Sequence, residues 1–265
     1  MGARKFRKPY RVKRKKSIFR NRFFWLGILI FLIVGSAFYF LFFSDTFQVK
    51  KIIVTGEEKI SKEDIKVLIE ERLEKKILFF KMGSIFLINP SEIRRGILNN
   101  FSKIAEIEIN REFPDVINVL VVERLPLAIW CRDGNCFLLD NEGVIFEETP
   151  AWTDLPKIID KQNMNSFTLG EKVIEKDKLE QILKIESELT KNLKISIIEF
   201  SLMPDERLNA KTTEEWEIYF NLDEDLNWQL TKLNAVFKEG IPPENRGNLE
   251  YIDLRFTRVY YKYRE

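Results

Sequence analysis

Apolar positions along this chain follow three rhythms. From Phe23 to Phe43 they are continuous: FFWLGILIFLIVGSAFYFLFF contains no Asp, Glu, Lys or Arg over 21 residues. Beyond it, alternation marks strands and three-to-four spacing marks helices. Phe47 to Val54, FQVKKIIV, is apolar and β-branched, is followed shortly by Gly56, and predicts a first strand. Ser61 with Asp64 three positions later reads as a helix N-cap, Ile60 and Ile65 take the staple positions, and Ile65, Leu68, Ile69 and Leu73 make one stripe. A second helix is predicted from Pro90-Ser91, with Ile93, Ile97 and Phe101 at helical spacing and Gly96 as its weak point. Between the helices, Ile77 to Phe80 and Ile85 to Ile88 are expected to be apolar loop segments that close the core. Ala105 to Asn110 alternates, so Ala105, Ile107 and Ile109 are expected inward. Pro114-Asp115 marks a turn, and Ile117 to Val122, apolar on both faces, predicts a central strand. The order is β-α-α-β-β over residues 47–124.

Residues 125–265 read as β-rich. Leu127 to Cys131 and Cys136 to Asp140 flank Arg132-Asp133-Gly134-Asn135, which predicts a hairpin with a four-residue loop. Asn141-Glu142-Gly143 turns into Val144-Ile145-Phe146, and Trp152 to Pro156 is a loop. Leu179, Ile182, Leu183, Leu189 and Leu193 mark an amphipathic helix, and Ile195 to Phe200 and Trp216 to Phe220 are strands. A last helix carries Leu226, Leu230, Leu233 and Phe237 on one side. The fold class expected is α+β: one apolar helix, the β-α-α-β-β unit, then a mixed sheet with helices on one face.

The continuous stretch is long enough to cross a membrane, since about 1.5 Å of rise per residue carries 21 residues over roughly 31 Å. Fifteen of those residues are Leu, Ile, Phe or Val, and insertion is favourable by roughly 4 to 9 kcal/mol at most. Residues 1–22 carry eleven Lys or Arg and no acid, leaving 32 basic against 41 acidic residues afterwards, a balance of −9. A basic flank stays in the cytoplasm, so 1–22 is expected inside, 23–43 across the membrane, and 44–265 outside the cytoplasm. Cleavage at Gly35-Ser36-Ala37 would turn the span into a signal peptide, but it would leave six apolar residues exposed at the new end. A mature mass that includes residues 1–37 decides for the anchor. The basic tail has few aromatics to stack bases, and topology already accounts for it without nucleic acid.

Chemistry is narrowed by inventory. With no histidine, Ser-His-Asp and Cys-His catalysis and histidine zinc sites are excluded; two cysteines exclude a four-cysteine metal site, and no Walker loop is present. Carboxylates are many, yet Glu63, Asp64, Glu70, Glu71 and Glu74 share one predicted helix with lysines, the pattern of a solvated face. No catalytic residue, metal, cofactor or small-molecule substrate is expected. Cys131 and Cys136 would face each other across the first hairpin, either as a disulfide or as two half-buried thiols.

FQVKKIIVTG beside the span, REFPDVINVLVVERLPLAIW and LLDNEGVIFEE together closely resemble the FtsQ/DivIB family of bacterial cell-division proteins. The resemblance implies a POTRA domain at 47–124, a β domain at 125–265, and a non-enzymatic protein of the division septum, single-pass in the cell membrane with its bulk outside the cytoplasm. It also implies FtsB, a small single-span coiled-coil partner that works with FtsL, among other division proteins. The competing classes are a POTRA-bearing secretion or outer-membrane assembly factor and an anchored cell-wall hydrolase. The first lacks room here for a barrel after these domains, and the second lacks a carboxylate pair that can be placed in a cleft.

The end of the sequence reads as a binding edge. Ile252, Leu254 and Phe256 alternate with Tyr251, Asp253 and Arg255; Val259, Tyr261 and Tyr263 alternate with Arg258, Tyr260 and Lys262. No tail follows to cover this last strand, which would offer unpaired backbone groups to a visitor, with Tyr and Arg as anchors. The bland alternative is that Tyr260, Tyr261 and Tyr263 simply pack on the sheet. By position, the resemblance implies Arg255, Phe256, Tyr260 and Tyr261 as contacts to FtsB, within a surface of Tyr251, Asp253, Arg255, Phe256, Val259, Tyr260 and Tyr261. Thr257-Arg258 stands where some family members have a Gly-containing turn, so the register after Phe256 stays open.

Overall fold

The computed structural model describes residues 22–73, 76–77, 80–81, 83–150, 154–162 and 166–264. The basic tail before Arg22, Glu74, residues 78–79 and Trp152 lie outside the described residues. Helix α1 (Arg22–Phe43) is the apolar stretch, with mean hydropathy 2.5 and no buried residue. Two compact units follow from the chain's contacts. Of the described residues, one comprises those from Arg22 to Ile53 with those of Glu70–Asn89 and Asn110–Asn118; the other takes those of Val54–Ile69, Pro90–Ile109 and Val119–Glu265.

The predicted first strand starts late. Asp45–Phe47 is a turn of 3-10 helix capped by Ser44, and β1 is Lys51–Thr55. In α2 (Lys62–Leu73) the Ser61 hydroxyl accepts from the Asp64 amide at 3.3 Å, and Ile65 and Ile69 are buried. Lys76–Ile77 (β2) and Phe80–Lys81 (β3) pair as a short ladder where a loop was expected. Helix α3 (Pro90–Asn100) buries Ile93, Gly96 and Ile97, so the glycine lies on the packed face. Strands β4 (Ile104–Glu112) and β5 (Val116–Glu123) complete a sheet in the order β1-β5-β4, with β5 central as its sequence predicts. Ala105, however, is exposed, while Ile104 and Ile107 are buried. The alternation changes phase between those two isoleucines, which carries Ala105 outward. Nor is β5 covered on both faces: Ile117, Val119 and Val121 are buried, but Leu120 and Val122 are exposed. Beside β5, the Glu123 carboxylate accepts from three consecutive amides, Glu58, Lys59 and Ile60, at 2.8, 2.9 and 3.0 Å.

Among the described residues the large sheet has nine strands. Strands β6 (Ala128–Arg132) and β7 (Asn135–Leu139) meet at a two-residue turn rather than a four-residue loop, because Arg132 and Asn135 still pair. Asp133 and Gly134 both have positive φ, 50° and 84°, the primed turn that suits strand twist. Strand β8 (Ile145–Glu148) follows Gly143, whose φ is 79° and where a Cβ would stand 2.0 Å from the Ile174 carbonyl oxygen. Strand β9 (Lys157–Asp160) has no counterpart in the sequence reading, and neither has β11 (Arg207–Thr212). Helix α4 (Lys176–Ser187), extended by a π turn over Glu188–Asn192, leads to β10 (Ile197–Leu202). Strand β12 (Glu217–Asn221), helix α5 (Leu226–Glu239), β13 (Leu249–Asp253) and β14 (Tyr260–Tyr263) complete the chain.

The strand order is β14-β13-β12-β11-β10-β9-β6-β7-β8. Strand β9 runs parallel to both β6 and β10, and β13 runs parallel to β12; the other pairs are antiparallel. Parallel neighbours need a crossover: α4 lies in the segment from β9 to β10 and α5 in that from β12 to β13, while β7 and β8 lie between β6 and β9. Both helices pack on one face: Leu179, Ile182 and Ile185 of α4, and Leu189 of the π turn, join Leu230, Leu233 and Phe237 of α5 against Trp130, Ile158, Phe200, Phe220 and Ile252 in one core. On the opposite face Ile129, Cys131 and Cys136 form a small cluster with Leu155. Cys131 and Cys136 are disulfide-bonded to each other, at the paired position that the register gives them.

Candidate partner-binding edge

The candidate residues fall on β13, β14 and the bend between them. Strand β13 is shorter than its alternation implies. It ends at Asp253, and residues 255–258 form a bend, so Phe256 is outside any strand and 54% exposed. Leu254, still fully buried, donates its amide to the Tyr219 carbonyl at 3.0 Å and keeps the bend against β12. Register resumes with Asp253 opposite Tyr260, Ile252 opposite Tyr261 and Leu249 opposite Tyr263. Strand β14 therefore lies at the sheet's edge, paired on one side only among the described residues.

Two clamps fix the bend. From α5, Lys232 donates to the Leu254 and Phe256 carbonyl oxygens at 2.7 and 2.5 Å, its side chain almost fully buried. Burial lowers its pKa from the ordinary lysine value, since an ammonium leaving water loses hydration. From below, Arg255 makes a two-pronged contact with Asp253, Nε to Oδ1 at 2.9 Å and Nη2 to Oδ2 at 2.6 Å, while its own amide donates to Oδ1 at 3.1 Å. Hydrogen bonding to that carboxylate raises the guanidinium pKa further. Planar pairing of this kind holds a side chain in one pose more firmly than a point charge does.

Around these clamps the aromatic side chains are ordered. Tyr251 stacks on Tyr219 at 5.4 Å, and Tyr219 lies under two guanidinium groups, Arg207 at 4.5 Å and Arg255 at 5.7 Å. Burial drives the Tyr219 phenol up to about 12. Arg255 also lies 5.4 Å from the Phe256 ring, which meets Tyr260 edge-on at 5.8 Å. Tyr260 and Tyr261 are 55% and 41% exposed.

The seven sequence candidates thus divide by position. Phe256, Tyr260 and Tyr261 present open aromatic surface, with Arg255 partly exposed beside them. Tyr251 is half-buried in the tyrosine stack, Asp253 is buried holding Arg255, and Val259 packs against the main core. Sequence reasoning missed Trp228. It is 55% exposed in the first turn of α5, which Asp225 caps by accepting from the Asn227 and Trp228 amides. Trp228, Phe256 and Lys232 line one cleft of about 220 Å³. A tryptophan off the Leu226-Leu230-Leu233-Phe237 stripe was the available signal, because a solvated helix face seldom carries one.

Comparison with known proteins identifies the family. The family model described as Cell division protein FtsQ/DivIB, C-terminal, matches residues 128–255, and that described as POTRA domain, FtsQ-type, matches residues 47–124. The chain belongs to the FtsQ/DivIB family of cell division proteins. Cell division protein FtsQ of Chloroflexus aurantiacus is 24% identical over 239 residues, 89% of this chain and 81% of that relative. Cell division protein DivIB of Brevibacillus brevis is 23% identical over 257 residues, 94% and 86% of the two chains. Cell division protein FtsQ of Rickettsia bellii is 34% identical over 98 residues, 37% of this chain and 33% of that relative. An FtsQ/DivIB protein with one apolar amino-terminal helix is suited to membrane anchoring, and its division role calls for protein partners. The C-terminal family match ends at Arg255, so Phe256, Tyr260 and Tyr261 lie just past it.

Proposed function

We propose that this FtsQ/DivIB protein is a single-span scaffold of the division machinery that captures FtsB, together with FtsL, along β14 and the bend before it. Residues 1–22 stay in the cytoplasm by virtue of their eleven basic residues, 23–43 cross the membrane, and the POTRA unit at 47–124 and the β domain at 125–265 work outside at the septum. The role needs no catalytic step. It needs a rigid edge, and the observation that carries the reading is that an edge strand beginning with the exposed Tyr260 and Tyr261 follows the exposed Phe256, on a bend clamped by Lys232 and by the Arg255–Asp253 pair. An incoming segment adds backbone hydrogen bonds on β14, the aromatic trio supplies desolvated contact area, and pre-ordering lowers the entropic cost of docking.

The test compares detergent-solubilised, tagged full-length protein with its Tyr260→Glu variant, using mass spectrometry to identify co-purifying proteins. Two small single-span coiled-coil proteins are expected with the parent and not with the variant, while the variant keeps the parent's melting temperature. Equal recovery with both chains counts against the edge. Deleting 251–265 is the poorer experiment, because it removes Ile252 and Leu254 from the core.

A further inference from the structure

We infer that the POTRA unit rests on the bilayer, with the loop tips carrying Phe113 and Leu87 seated in the headgroup region beside the span; the inference rests on reading α1 as membrane-spanning. A hydrocarbon core of about 30 Å takes about 20 helical residues. Counted from Phe23, the first residue after Arg22, that length ends near Phe42, one residue before the end of α1. From Phe42 a chain of rings leads straight to the loops. Phe42 meets Phe86 at 6.1 Å, Phe86 meets Phe47 at 5.2 Å, and Phe86 meets Phe113 at 5.3 Å. Phe113 is thus only two ring contacts from the hydrocarbon boundary. Even so it is 56% exposed, and Leu87, next to Phe86, is 39% exposed.

Polar contacts tie the helix end to these loops. The last carbonyls of a helix have no partner within it, and here the Ser84 hydroxyl donates to the Leu41 carbonyl at 3.3 Å while Gln48 Nε2 donates to the Phe42 carbonyl at 3.3 Å. The Val49 amide donates to the Gly83 carbonyl and the Ile85 amide to the Phe47 carbonyl, both at 2.9 Å. The span therefore ends in contact with residues 83–86 rather than on a free linker. Lys50 takes the Asp115 carboxylate at 3.4 Å, and both Lys50 and Lys51 amides donate to the Asp115 carbonyl. That pairing holds the 113–115 tip beside the chain leaving the membrane and neutralises the tip's own acid. Large aromatic and aliphatic side chains held at this depth gain by leaving water for the interface, where rings collect.

Single cysteines at Phe113, Leu87, Val34 and Glu180, nitroxide-labelled in full-length protein whose own two cysteines are disulfide-bonded, test this in nanodiscs of phosphatidylcholine with a minor share of phosphatidylglycerol. The readout is the ratio of relaxation by oxygen to relaxation by a water-soluble nickel chelate. Ratios at 113 and 87 several-fold above that at Glu180, an exposed site on α4, and approaching that at Val34 in the span, are expected. If 113 and 87 match Glu180 while Val34 reads deep, the loops stand in water and the inference fails with the span intact. If Val34 also reads as water, the span itself is refuted and the inference with it.

Discussion

The ammonium of Lys232 lies 2.7 Å from the carbonyl oxygen of Leu254, joining helix α5 to the residue just past the end of β13. A second bond to Phe256 makes this one side chain the roof of the bend. Lys232→Met keeps the length and removes both bonds, leaving two carbonyls short of donors. A loss of about 2 kcal/mol is expected in denaturant unfolding. Faster amide exchange confined to residues 255–259 would place the damage at the bend; an unchanged exchange pattern would contradict the clamp.

Arg255→Lys separates charge from shape. Lysine keeps the charge beside Asp253 but cannot make the two-pronged contact or lie flat between Tyr219 and Phe256. Partner binding is expected to weaken about tenfold, which corresponds to about 1.4 kcal/mol. Titration calorimetry with the purified partner measures this, and full affinity in the variant would remove Arg255 from the binding surface.

Glu123 makes the POTRA unit sensitive to acid. Burial alone would raise its pKa, but the three amides of Glu58, Lys59 and Ile60 outweigh burial and hold it below the ordinary value. A depressed folded-state pKa gives stability that is complete above the unfolded-state value, here 4.5, and that is lost as pH falls through the folded-state value. Glu123→Gln is expected to cost about 1.5 kcal/mol at neutral pH, with the difference from the parent shrinking in acid. Melting curves across that range check it; a constant difference at every pH would mean that the amides do not recognise the charge.

For the disulfide, Cys131→Ser with Cys136→Ser is expected to lower stability by about 2 kcal/mol, the entropy of closing so short a loop. Partner capture should be unaffected, because β6 and β7 lie far along the strand order from β14. Reductant should reproduce the loss in the parent and have no effect on the double variant.

Legibility followed pattern strength. The charge-free stretch 23–43, the Ser61 cap, both α3 isoleucines and the stripe of α5 were plain in the sequence, because each rests on residues a few positions apart. Strand β11 was hidden because it buries Asn209 and Thr212, which interrupt the apolar code and are satisfied by Glu217 and by the Trp216 carbonyl. Strand β9 was hidden because KIID is four residues long and its partners lie on β6 and β10, far away in sequence. At the candidate edge, alternation correctly put Asp253 and Arg255 on one side but gave no sign that they clasp each other. Trp228 is brought to Phe256 by the fold alone, through the packing of α5 beside the bend.

Strand β9 also sets how the β domain carries load. Three residues match Phe200, Ser201 and Leu202 on one side, and three match Ile129, Trp130 and Cys131 on the other. Every tensile path through the sheet from β14 to the β6–β8 strands passes through this short, parallel seam. A pull on β14 while the far strands are held therefore loads it in series with the other three-residue parallel pairing, β12 with β13. Both parallel seams on that path, β12–β13 and those flanking β9, are matched over fewer residues than the antiparallel β10–β11 and β11–β12 ladders between them.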